Sequence, residues 1–157
     1  MRIIPTSGMS LPRSHGFSLI EAVVVVSLFG IVAAFAVPRF TRLANNVRAS
    51  EVVALSASLR LAAQAAHAQF LASGGRLSST MIKGRTVILK NGYPDVGSGG
   101  IRNAVFDSDG FTSNEGASFV VFMKTDAPFA EQCSVTYNAS SMASGAATVA
   151  NLVTSGC

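Results

Sequence analysis

The feature that most constrains this chain is an almost wholly apolar run from Phe17 to Val37, in which Glu21 is the one formal charge. A helix needs about 20 residues to cross the hydrocarbon core of a bilayer, so this run is long enough to span it. A carboxylate at membrane depth costs a few kcal/mol on insertion scales. The sequence therefore predicts a membrane helix that has a specific use for an acid.

Three interpretations of the run compete. It could be a cleavable secretory signal with a small-residue site at Ala34–Ala36, an ordinary single-pass anchor, or a segment that anchors first and packs into an assembly later. The flanking Arg13, Arg39 and Arg42 are compatible with all three. Glu21 disfavours the first two, because neither a signal core nor a simple anchor has a use for a buried acid.

The stretch GFSLIE at the start of the run resembles the prepilin cleavage motif, G-F-[ST]-L-[IV]-E, of type IV pilins and type II secretion pseudopilins. The resemblance covers a short basic leader, the cleavage site and the whole apolar helix. It implies that a prepilin peptidase cuts between Gly16 and Phe17 and methylates the new amino group of Phe17.

The same resemblance gives Glu21 a role. In a growing filament it would pair with the terminal amine on Phe17 of a neighbouring subunit. Opposite charges attract strongly in a low-dielectric core, and either charge alone is heavily penalised. Such a pair would fix the axial register of otherwise apolar helices, as one buried polar residue does in a coiled coil.

Gly30 and Pro38 both disfavour a continuous helix. The resemblance implies that they bound a stretch of helix that melts in the filament. The alternative is a proline kink near the membrane surface.

Beyond Pro38 the apolar residues step by three or four, which indicates one face of an amphipathic helix. We expect an α+β chain of the type IV pilin fold, with a long N-terminal helix at about 17–73 and a small antiparallel C-terminal β-sheet. Ser73-Gly74-Gly75 should end the helix. The predicted strands are Thr86–Leu89, Ser118–Met123, Cys133–Tyr137 and Thr148–Val153, with a turn at Asn91–Pro94.

The expected organisation has three parts. Residues 1–16 are the cleaved leader, 17–44 the transmembrane and assembly helix, and 45–157 the globular domain.

The two cysteines, Cys133 and Cys157, suggest one disulfide formed outside the cytoplasm, the alternative being two unpaired thiols in a cytosolic protein. A disulfide near the C-terminus resembles the arrangement in type IV pilins. Major pseudopilins typically lack this disulfide and bind calcium in the same region. The stretches LKNGYPD and QCSVTYNAS further resemble the mannose-sensitive haemagglutinin group of pilins.

Metal and catalytic sites find little support. Asp107-Ser108-Asp109-Gly110 resembles the start of a calcium loop, but the twelfth position is Ser118 rather than an acid, so a polar turn is expected. No nucleophile, histidine and acid grouping can be traced. His67 is expected to be a packing or surface residue rather than a ligand, and it is assigned no role. We predict no catalytic residue, no metal and no cofactor.

The net charge of the chain gives little evidence of nucleic-acid binding. The formal charge is +4, and Arg2 and Arg13 of the predicted leader contribute two of those charges. A modest basic cluster is offset by acids, which disfavours DNA binding. The cluster consists of Arg76, Lys83, Arg85 and Lys90, and the acids are Asp95, Asp107 and Asp109.

These observations predict a structural subunit rather than an enzyme. We expect an inner-membrane prepilin that a prepilin peptidase cuts and an inner-membrane assembly platform polymerises with copies of itself into an extracellular pilus for adhesion, surface attachment or motility. The alternatives are a minor pilin or type II secretion pseudopilin, and a DNA-uptake (competence) pilin.

Overall fold

The computed structural model describes residues 16–105, 108–141 and 145–157. Residues 1–15 of the predicted leader lie outside this set. The chain divides after Phe40 into two units, and the boundary predicted between residues 44 and 45 stays a prediction. The elements in chain order are α1 (Leu19–Ala72), β1 (Ser79–Ile82), β2 (Arg85–Lys90), β3 (Tyr93–Pro94), α2 (Ile101–Ala104), β4 (Phe111–Glu115), β5 (Phe119–Lys124), a 3₁₀ turn (Ala130–Gln132), β6 (Ser134–Asn138) and β7 (Thr148–Val153).

Helix α1 confirms the long N-terminal helix predicted from the sequence. It begins two residues later than expected and ends one residue earlier. The amide of Gly75 donates to the carbonyl of Phe70 at 2.9 Å, and that of Gly74 to the carbonyl of Leu71 at 3.0 Å. This is the Schellman arrangement, which needs a left-handed residue after the last helical turn, and Gly74 supplies it with φ of 76°.

The second half of α1 buries the face that the sequence pattern predicts. The buried side chains recur mainly at three- and four-residue steps, so they lie on one side of the helix and pack against the strands. Phe70, four residues beyond Ala66, continues this face and is partly buried against the same core. The buried residues are Val52, Leu55, Ser56, Leu59, Ala62, Ala63 and Ala66.

The strands form two antiparallel sheets rather than the single sheet expected. One has the order β1-β2-β3 and the other β4-β5-β6-β7. All four predicted strands are present, but the turn expected at Asn91–Pro94 is completed within two residues, and Tyr93–Pro94 pairs with β2 as a strand. The sequence pattern missed β1, β4 and α2 because they are short, and β1 and β4 are rich in Ser and Thr.

Two-residue turns set the register of the three-stranded sheet. Lys83-Gly84 connects β1 to β2, and Asn91-Gly92 connects β2 to β3, with positive φ at all four residues. This is the conformation of type I′ turns, whose twist matches that of the flanking strands. Gly92 is also required for space, since a Cβ there would lie 2.5 Å from the ring of Phe70.

A buried tyrosine connects the two sheets. The Tyr137 hydroxyl on β6 donates to the carbonyl of Pro94 on β3 at 2.7 Å, and its side chain is fully buried. Burial raises the pKa of Tyr137 well above its usual range, so the phenol stays protonated and can donate. Within the described residues, no buried side-chain nitrogen or oxygen lacks a hydrogen-bond partner.

Replacing Tyr137 with phenylalanine should destabilise the fold. The change leaves the buried Pro94 carbonyl without its donor, which costs about 1–3 kcal/mol. The measurement is the urea midpoint of the detergent-solubilised chain, with Tyr93→Phe at the half-buried tyrosine as the matched control. Equal midpoints for wild type and Tyr137→Phe would show that the bond between the sheets contributes nothing.

Candidate assembly site

The segment before Phe40 exposes its apolar side chains. Phe17 is 75%, Leu19 83% and Phe29 71% exposed. An apolar 18-residue stretch of α1 is not buried within the protein, so by length and composition the helix could cross a membrane. A helix this apolar and this exposed needs lipid or other helices to cover it.

The predicted cleavage site precedes the helix. Gly16 and Phe17 are exposed and lie outside regular structure. The first helical bond joins the amide of Ala22 to the carbonyl of Ser18 at 3.1 Å. The predicted cut would therefore fall in an exposed stretch just before the helix.

Glu21 lies in the first turn of α1 and is exposed. An acid is favoured at this end of a helix because the unpaired amides carry partial positive charge. Among the described residues it forms no ion pair. In the uncut chain the Phe17 nitrogen is an amide bonded to Gly16, so the cation proposed to pair with Glu21 arises only after cleavage.

Gly30 and Pro38 both lie within the continuous helix α1. A Cβ at Gly30 would meet nothing within 4 Å, so packing within the single chain does not require glycine there. Ser27, nearby, donates its hydroxyl to the carbonyl of Val23 at 2.7 Å and so needs no outside partner. Melting between Gly30 and Pro38 in the filament stays a prediction.

In the second unit, Cys133 and Cys157 form the expected disulfide, with sulfurs 2.02 Å apart. Both residues are buried, at 0% and 4% exposed. Cys133 directly precedes β6, so the bond closes the β6–β7 hairpin into a loop. It fixes residue 157 beside the start of β6.

Arg48 on α1 holds the end of this loop. Its Nη1 donates to the Cys157 carbonyl at 3.3 Å and to the Asn45 side chain at 3.1 Å. Its Nε lies 3.2 Å from an Asp126 carboxylate oxygen. The hydrogen bond from Arg48 holds the pKa of Asp126 below its usual range, so that carboxylate stays charged at neutral pH.

Lys124 extends the same set of charges. Its Nζ lies 2.9 Å from Glu51 and 3.3 Å from Asp126, and the side chain is only 10% exposed. The hydrogen bond to Glu51 raises the pKa of Lys124, which keeps the amine charged. Arg48, Asp126, Lys124 and Glu51 thus alternate in sign and fasten the disulfide loop to α1.

Sequence reasoning missed this charge cluster. Arg48 and Glu51 are three residues apart on one helix, but their partners lie more than 70 positions away. The one available signal was the unusual placement of Lys124 at the end of an apolar strand.

His67, for which the sequence left packing and surface placements open, packs against the β2–β3 hairpin. Its ring stacks on Tyr93 with centroids 4.1 Å apart and planes 6° apart. Its Nδ1 lies 3.1 Å from the Gly92 carbonyl, which accepts a hydrogen bond in the tautomer that carries a proton on Nδ1. The residue joins α1 to the β2–β3 turn.

The stretch that resembles a calcium loop is partly described. Asp107 lies outside the described residues, and the amide of Phe111 donates to the carbonyl of Ser108 at 3.0 Å, as in a turn. No group of three or more His, Cys, Asp or Glu residues within the described part of the chain could hold a metal ion.

Comparisons with known proteins point to the N-terminal segment. Residues 11–37 match the prokaryotic N-terminal methylation motif. The chain is similar to a protein described as the type IV narrow pilus major component PilA5 of Thermus thermophilus, at 42% identity over 50 residues, which is 32% of this chain and 43% of that protein. The match thus spans less than half the length of that relative, and no solved structure matches.

Removing the disulfide should destabilise the second unit. The cysteines are separated by 24 positions, and in the chain-entropy model closing a loop of that size contributes about 3 kcal/mol. The expected result is a lower thermal midpoint for Cys133→Ser/Cys157→Ser, while reductant lowers the wild-type midpoint but leaves the variant unchanged. An unchanged wild-type midpoint after verified reduction would contradict a stabilising role for the bond.

Proposed function

We propose that this chain, which belongs to the proteins that carry the N-terminal methylation motif of type IV prepilins, is a structural subunit of an extracellular type IV pilus. Its long N-terminal helix followed by antiparallel sheets has the α+β architecture of that class. The similarity to a pilus major component supports the same function.

The observation that carries the proposal is the exposed apolar segment with one acid near its start. Helix residues up to Phe40 have almost no burial, although they are the most apolar part of the chain. Lipid can cover such a surface before assembly, and identical helices can cover it afterwards. Glu21 fits the second environment better, because there an opposite charge can reach it.

Cleavage between Gly16 and Phe17 is proposed to create that opposite charge. The new amine of one subunit pairs with Glu21 of another, so that the uncut precursor lacks one half of the pair. Methylation of the amine leaves its positive charge in place. The peptidase thus converts a membrane-anchored chain into a subunit whose axial position relative to its neighbours in the filament can be fixed.

Gly30 to Pro38 is the proposed stretch of helix that melts on assembly. Glycine costs about 1 kcal/mol relative to alanine inside a helix, and a helical proline lacks one backbone hydrogen bond. Because nothing packs against Gly30 in the single chain, weakening the helix is a sufficient reason for it.

The proposed partners follow from this route. They are the bilayer before assembly, a prepilin peptidase, an assembly platform in the inner membrane, and further copies of the chain. The protein is held in the inner membrane as a prepilin and is extracellular as a fibre. The proposed function is structural and involves no reaction catalysed by this chain.

The alternatives remain a minor pilin, a type II secretion pseudopilin or a DNA-uptake pilin. The disulfide-closed loop supports a pilin over a major pseudopilin. The similarity to a major component supports an abundant subunit. The finer resemblance to the mannose-sensitive haemagglutinin group rests on LKNGYPD and QCSVTYNAS and stays a prediction.

Glu21→Ala should separate insertion from assembly. Removing the acid leaves the apolar helix intact, so we expect normal amounts of the chain in the membrane fraction. The neighbouring amine then lacks its partner, and we expect at least a tenfold loss of fibre protein in the sheared fraction.

The matched control is Glu131→Gln, at an exposed acid in the 3₁₀ turn. It should leave both fractions unchanged. Normal amounts of sheared fibre from Glu21→Ala cells would overturn the proposed role of the acid.

A further inference from the structure

The outward side of α1 in the second unit is uncharged. Its side chains recur at three- and four-residue steps opposite the buried face, and all of them are exposed. Leu43 is 60%, Val47 47% and Leu61 65% exposed, and the hydroxyl of Ser50 donates to the Val47 carbonyl at 2.7 Å. We call this set of residues the outer face of α1: Leu43, Val47, Ser50, Ala54, Ala57, Leu61, Ala65, Ala68 and Ala72.

The charged side chains on this half of α1 lie off the outer face and contact the chain's own strands and loops. Arg48 and Glu51 belong to the charge cluster at the disulfide loop, and Arg60 donates to the Val149 carbonyl at 3.5 Å. Residues 43–72 contain no other Asp, Glu, Lys or Arg. A helix face in contact with water normally carries charged side chains, so the outer face has the composition of a covered surface.

A cavity of about 280 Å³ opens beside the outer face. Leu61 and Ala65 line it from α1, and Ala104 and Val105 line it at the end of α2. The lining is apolar apart from one serine and Lys83, which has interactions of its own. An apolar cavity of about 150 Å³ can hold a benzene ring, so this one has room for a large apolar side chain.

Neither lipid nor a soluble partner fits this surface well. Leu61 is 24 positions beyond Val37, the end of the apolar run, and about 20 residues suffice to cross the hydrocarbon core. The outer face is about 45 Å long and about 10 Å wide, which gives roughly 450 Å². A stable complex of two proteins buries about 800 Å² on each partner, so this face needs an occupant that is also held elsewhere.

A second copy of the chain is such an occupant. In the proposed fibre its apolar segment before Phe40 is already held among neighbouring helices. That segment supplies exposed rings such as those of Phe29 and Phe35, which are 71% and 74% exposed. The contact would join two different surfaces, so each copy could give its segment to one neighbour and receive the segment of another. Repetition of such a heterologous contact produces an open filament unless it closes into a ring.

We propose that in the fibre the apolar segment of one copy packs against the outer face of α1 of another and places a large apolar side chain in the cavity beside Leu61. The proposal rests on the proposed function, which supplies the second copy. It adds a receiving surface in the second unit to the pairing of Glu21 with the Phe17 amine.

Ala65→Glu tests the outer face. Glutamate is a good helix former and the site is exposed, so the single chain should keep its thermal midpoint and its amount in the membrane fraction. In the fibre the new carboxylate would be buried without an opposite charge, and we expect at least a tenfold loss of fibre protein in the sheared fraction. The matched control is Gln64→Glu, which adds the same carboxylate at the preceding residue, exposed but off the outer face, and should assemble as wild type does.

A photocrosslink identifies the occupant. Leu61 is replaced with p-benzoylphenylalanine in a fraction of the chains, these are co-expressed with wild type, and the sheared fibres are irradiated and digested. We expect linkage to a peptide from residues 17–40 of another copy. Linkage only to lipid, to an unrelated protein or within the second unit would overturn the proposal.

The two proposals fail separately. Normal amounts of fibre from both Ala65→Glu and Gln64→Glu would overturn the contact at the outer face and leave the pilus subunit intact. Equal loss of fibre from both variants would mean that the effect is not local, which would also overturn the contact. Wild-type cells whose sheared fraction lacks this chain would refute the proposed function and, with it, this contact.

Discussion

A carboxylate on an exposed apolar helix is the constraint on which the rest of the molecule depends. Glu21 is costly in lipid and forms no ion pair with any described residue of the single chain. A charge of opposite sign would offset that cost, and the proposed cleavage before Phe17 would create one in every copy. In the proposed route the same few residues connect membrane anchoring, proteolytic processing and register in an assembly.

The second unit meets its polar requirements internally. Tyr137 connects the two sheets, the disulfide closes the β6–β7 hairpin, and Arg48 joins the end of that loop to α1. The buried polar side chains that are described all have partners. The described polar side chains of this unit need no partner from a neighbour, whereas the apolar segment before Phe40 needs lipid or other helices to cover it.

Sequence periodicity predicted the parts of the fold that depend on local pattern. The buried face of α1 from Val52 to Ala66 and the four predicted strands are in place because side-chain direction repeats with a fixed period in helices and strands. Periodicity does not indicate which strands pair with each other. For that reason the sequence analysis expected one sheet where the structure has two. Polar strands such as β4 were missed because Thr, Ser and Asn are as typical of loops as of strands.

The assembly segment was more predictable than the charge cluster. GFSLIE is contiguous, so its chemistry can be recognised without a fold. The charge cluster of Arg48, Lys124 and Asp126 forms only when α1 packs on the end of β5. No spacing in the sequence predicts that contact. The disulfide is intermediate in predictability. Two cysteines in an exported chain allow only one intramolecular pairing, but its position in the fold does not follow from the sequence.

The measurement that tests the central claim most directly is the intact mass, without reductant, of this protein in fibres sheared from cells. We predict a mass that begins at Phe17, with one methyl group added and two hydrogens lost. That result would demonstrate processing, the disulfide and presence in a surface fibre together. A mass that begins after Ala36 would contradict the role given to Glu21, and the predicted mass found only in membranes would contradict a pilus subunit.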